Sequence, residues 1–108
     1  MGKLKQWLVY HKQIKRKKAD LAFLDCDIKF FEQHFKAREL PQKLKGLRLD
    51  LKREQQKDES KKDNTKINDI AYEVAHKEKM QQNYEAMLKT ALDLQGYINL
   101  LNTWKKNI

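Results

Sequence analysis

Five apolar side chains, Trp7, Ile14, Leu21, Ile28 and Phe35, recur at intervals of seven residues, and Tyr10, Leu24 and Phe31 sit three places after three of them. Lys17 and Arg38 interrupt this companion row. A stripe that repeats every 3.5 residues belongs on an α-helix wound left-handedly against a partner helix. It cannot be satisfied by a strand, whose side chains alternate with a period of two. The punctuation agrees. Three glycines and one proline in 108 residues are too few for the turns of a β-protein. The spacing therefore predicts a first helix over residues 3–39, roughly 55 Å long.

Pro41 marks the break and suits the first turn of the next helix. Leu40, Leu44, Leu47 and Leu51 then define a short amphipathic helix over 41–55. Residues 55–66 contain no apolar side chain and read as a polar linker, with Asp63 or Asn64 placed to cap a third helix. That helix is expected over 65–105. Its stripe starts at Ile67, Ile70, Val74, Tyr84, Leu88 and Ala91, then drifts round through Met80, Met87, Leu94, Ile98 and Leu101. The expected architecture is an all-α, elongated single-domain bundle with coiled-coil-like packing. The two long helices are expected to run parallel, with the short helix folded back between them. Gly96 costs about 1 kcal/mol inside a helix, which points to a close approach by another backbone.

The first helix carries a second stripe, Ala19, Phe23, Cys26, Phe30 and Ala37, well over 90° from the first. Phe23 and Phe30 are each worth about 1.5–3 kcal/mol if buried. They call for a cover, which the short helix is expected to supply. Near the end of the third helix the apolar surface widens to take in Tyr97, Leu100 and Trp104. These five residues form the candidate protein-interaction surface.

The net charge of +9 lies entirely in residues 1–66, where 19 Lys/Arg face 10 Asp/Glu, whereas residues 67–108 carry five of each. Such a field attracts polyanions. Candidate contacts are Lys5, Lys12, Lys15, Arg16, Lys17 and Lys18 in the first helix, and Lys43, Lys45, Arg48 and Lys52 in the second. Twenty lysines against four arginines favour backbone contact over bidentate recognition of bases. Leu4, Trp7, Leu8, His11 and Ile14 share one side of the first helix, opposite Lys5, Lys12 and Arg16, an arrangement that also fits a membrane surface. Because that apolar side stays in phase with Leu21 and Ile28, it is expected to face a helical partner instead.

Catalytic and metal chemistry have little support. Glu73-x-x-His76 has the spacing of two helical metal ligands, but His76 falls about 150° from the local apolar stripe, and a di-iron bundle needs two such motifs. Cys26 lies between Asp25 and Asp27, which oppose a reactive thiolate, so it is expected to be a small buried hydrophobe. Residues 67–75 have the look of a first helix of a helix-turn-helix, yet no tight turn comes after them. The single cysteine excludes an internal disulfide and fits a reducing, cytoplasmic setting. No run of about 18 apolar residues is present, and Gln6 stands where a myristoylation signal takes Ser or Thr.

The sequence thus reads as a non-enzymatic helical adaptor or scaffold with no cofactor and no small-molecule substrate. Its expected partner is another protein or a second copy of itself. The alternative is a basic helical protein that holds nucleic-acid phosphates through its Lys-rich first half. A membrane surface ranks behind both.

Overall fold

The computed structural model describes residues 2–108. Three α-helices account for nearly all of them: α1, Gly2–His34; α2, Leu40–Gln55; and α3, Asn64–Lys106. Short 3-10 turns at Ala37–Glu39 and Glu59–Lys61 join them. There is no strand among the described residues, and no helix is long and apolar enough to cross a membrane.

α1 stops five residues before the expected end. Pro41 occupies the first turn of α2, and its ring would clash with the carbonyl four residues earlier if the helix ran through. The chain breaks at Lys36, whose φ of 49° is left-handed. Glu39 N–H then closes the 3-10 turn on the Lys36 carbonyl at 2.9 Å. Ala37, from the second stripe, is buried in this corner. Between α2 and α3, the polar segment is anchored at both ends. Glu54 accepts from Lys57 at 2.8 Å and from Lys66 at 3.1 Å, and Asp63 Oδ1 accepts the Lys66 N–H at 3.2 Å, capping α3.

The chain divides into two compact units: residues up to Phe30 with Ala86–Ile108, and Phe31–Glu85. In the first, α1 lies against the C-terminal half of α3. Ile14, Ile98 and Leu101 form the core, with Tyr10 and Leu21 packed on it. The Tyr10 and Trp104 rings are 6.1 Å apart, and Leu21 and Ile28 share a groove with Leu88, Ala91 and Leu92. Low numbers meet high ones, so the two helices are antiparallel. This corrects the parallel arrangement expected from the sequence.

In the second unit, α2 lies against the N-terminal half of α3, again antiparallel. Arg48 donates to Glu78 at 2.8 Å and Lys66 to Glu54 at 3.1 Å. Ala37, Leu40, Leu44 and Val74 are its buried apolar side chains. Arg38 reaches Glu32 and hydrogen-bonds Tyr84, and that hydrogen bond, followed by the Glu32 charge, raises its pKa. Phe23 and Phe30, expected to be covered by the short helix, are instead 76% and 52% exposed. The leucine stripe of α2 finds its complement on α3.

Each unit is thus a pair of helices joined by one seam. Along α3 the seam residues Ile67, Ile70, Val74 and Lys77 alternate in steps of three and four, as do Met87, Ala91, Leu94, Ile98 and Leu101. Gln81, Tyr84 and Met87 link the two runs by two steps of three. That missing residue shifts the heptad phase, and it is the drift visible in the sequence. Gly96 is not a close-approach site in this chain, since a Cβ there would meet nothing within 4 Å.

Candidate interaction surfaces

A two-helix seam uses only the facing stripe of each helix. Apart from Ala37, the large residues expected to need a second neighbour remain outside it. Cys26 is exposed rather than buried, because no element of its unit covers that side of α1. Tyr97 is 38% exposed, Leu100 51% and Trp104 43%.

The antiparallel pairing determines which exposed residues look the same way. In an antiparallel pair, like flanks of the two heptad frames lie side by side. Phe23 and Phe30 fall on the outer flank of α1 beyond Asp20 and Asp27. Tyr97 and Trp104 fall on the matching flank of α3, with Leu100 beyond them. The Tyr10–Trp104 contact marks this flank. All five candidate interaction residues thus belong to one side of the first unit.

The opposite flank is basic. Trp7 and His11 are stacked, with centroids 5.0 Å apart and planes within 6°. Lys105 reaches across from α3. Its ammonium lies 3.0 Å from His11 Nδ1 and 4.4 Å from the Trp7 centroid. Because an ammonium can only donate, Nδ1 is the acceptor. Lys15, Lys18, His11, Asn102 and Lys105 line a groove of about 320 Å³ over Ile14. It continues along Asn102 and Lys105 to a second, of about 440 Å³, beside Trp7 and Lys106.

The candidate polyanion contacts do not form one surface. Lys15 and Lys18 line this groove. Lys5 lines a different hollow, with Gln6 and Val9, and Lys12 and Arg16 are exposed elsewhere on α1. Lys17 sits at a seam position and pairs with Asp20 at 3.8 Å. In the second unit, Lys43 is paired with Glu39 at 3.6 Å and Arg48 with Glu78 at 2.8 Å, whereas Lys45 and Lys52 are exposed. Sequence reasoning missed Asn102, Lys105 and Lys106. The signal was present: residues 94–108 contain no Asp or Glu, as is also true of residues 1–19.

The Glu73-x-x-His76 pair is not assembled into a ligand set. Glu73 takes Lys77 at 3.6 Å and His76 stacks on Tyr72. Among the described residues, no group of three or more His, Cys, Asp or Glu is placed to hold a metal ion. Comparison with protein-family models, with curated proteins and with solved structures returns no match.

Proposed function

We propose that the protein is a non-enzymatic helical assembly module whose partner is a second copy of itself, docked through the side of the first unit that carries Phe23, Phe30, Tyr97, Leu100 and Trp104. The observation that carries this reading is their shared exposure beside a seam too narrow to cover them. Single exposed apolar residues are ordinary, but a run of large ones on one side of a helix pair marks an interface.

The magnitude favours a modest affinity. Covering the exposed parts of these side chains in both copies is worth roughly 8–16 kcal/mol. Association costs at least about 4 kcal/mol in lost freedom. At the middle of that range about 8 kcal/mol is left, which corresponds to a dissociation constant near ~1 μM.

Sedimentation equilibrium over a concentration series tests the proposal. The expected result is a reversible dimer that Phe23→Glu converts to monomer with unchanged helicity. A strictly monomeric chain at ~100 μM, far above such a constant, would remove the basis for the reading.

A further inference from the structure

The antiparallel seam brings together two stretches that the sequence keeps at opposite ends. Residues 1–19 and 94–108 hold nine Lys and Arg and no Asp or Glu. Parallel helices would have set the basic start of α1 beside the mixed charges around Asp69 and Glu73. Instead, Lys15 and Lys18 face Lys105 across one groove, with Asn102 between them. Lys105 contacts an imidazole nitrogen and an indole face, neither of which carries a carboxylate to offset its charge.

We propose that this groove binds the phosphate backbone of single-stranded nucleic acid, with Trp7 as a stacking platform for a base. The cations suit the spacing of a chain of phosphates, since Lys15 and Lys18 stand one helical turn apart, roughly 5–6 Å. An aromatic ring beside them is the feature that separates single strands from duplex, because only unpaired bases offer a free π-face. Trp7 is 37% exposed and is pinned by His11 and Lys105 rather than projecting, which suits stacking better than insertion into a bilayer. The charged lining is lysine rather than arginine, which favours phosphate contact over the reading of base edges.

Fluorescence anisotropy with a labelled ~20-nucleotide single strand tests the site at salt concentrations where phosphate contacts persist. Three phosphates held by Lys15, Lys18 and Lys105 predict a roughly 20-fold loss of affinity between ~50 and ~200 mM salt. Lys15→Gln/Lys18→Gln should reduce that loss to about threefold, because two counterions are no longer released. Lys79→Gln/Lys89→Gln, which removes the same charge from exposed positions of α3 outside the groove, should leave the salt dependence unchanged. In a Trp104→Phe background, the strand should quench the remaining Trp7 emission. Absence of binding at ~50 mM salt overturns the proposal, and so does an equal effect of the two double variants. Tighter binding to duplex DNA or to anionic vesicles than to the single strand also overturns it, and would assign the groove to that partner.

Discussion

Replacing Leu101 by alanine tests whether the first unit is held by a single seam. Leu101 has no exposed surface and clusters with Ile14 and Ile98, with Tyr10 and Leu21 packed against them. The substitution removes three carbons, worth about 2.4 kcal/mol at roughly 0.8 kcal/mol each. Any void that persists adds about 24 cal/mol per Å³, although a helix pair can close part of it. The expected loss is therefore about 3 kcal/mol. Phe23 is a larger side chain, but it is 76% exposed, and Phe23→Ala should cost the monomer under ~0.5 kcal/mol. Thermal unfolding followed by far-UV circular dichroism, on protein dilute enough to be monomeric, reads both. At roughly 4 °C per kcal/mol for a chain near 100 residues, Leu101→Ala should lower Tm by about 12 °C and Phe23→Ala by no more than ~2 °C. Equal losses, or a loss below ~1 kcal/mol for Leu101→Ala, would refute the assignment of core and surface.

Gly96, Lys36 and Glu54 each give a further expected outcome. A methyl group at Gly96 would meet nothing, so Gly96→Ala should stabilise by about 0.8–1 kcal/mol, the propensity difference in a helix interior, read as a higher urea midpoint at unchanged slope. Lys36 adopts a left-handed φ of 49°, so Lys36→Gly should stabilise by about 0.5–1 kcal/mol and Lys36→Val should destabilise, measured by the same unfolding curves. Hydrogen bonds from Lys57, then Lys66, hold the Glu54 carboxyl below its usual pKa. A depressed folded-state pKa contributes stability that is present above the ordinary glutamate value and lost as pH falls through the lowered one. Glu54→Gln should therefore flatten the acid limb of the stability–pH profile and leave the alkaline limb unchanged; an unaltered acid limb would contradict the clasp.

The seam itself was legible because heptads are a local property. Ile14, Leu21, Ile28, Leu40, Leu44, Val74, Ile98 and Leu101 all stand in the predicted stripes and are buried or half-buried. Asp63 was legible as a cap for the same reason, needing only its own neighbours. The direction of pairing was not. A stripe of apolar residues reads the same from either end, and polarity is set by which flanking residues meet, a long-range fact. The second stripe at Phe23 and Phe30 calls for a cover but does not say where in the assembly that cover lies. α2 pairs with α3 through Arg48–Glu78 and Glu54–Lys66, and the two rings are 76% and 52% exposed. Charged residues in seam positions also blurred the boundaries: Lys17 and Lys77 place their stems at the interface, and Glu54 is buried with two lysines on its carboxylate. The basic groove escaped notice because its halves lie more than eighty residues apart and meet only once the antiparallel pairing is known.

Both surfaces descend from that pairing, and a single distance tests it. Nitroxide labels at Lys15→Cys and Asn102→Cys, in a Cys26→Ser background diluted with unlabelled protein, report the intrachain separation by pulsed electron resonance. Both residues line one groove, so the antiparallel seam predicts a distance below ~20 Å, one interhelical spacing plus the two label arms. A parallel pairing would set them about 25 residues apart along the axis, and a distance near ~38 Å would contradict the antiparallel seam.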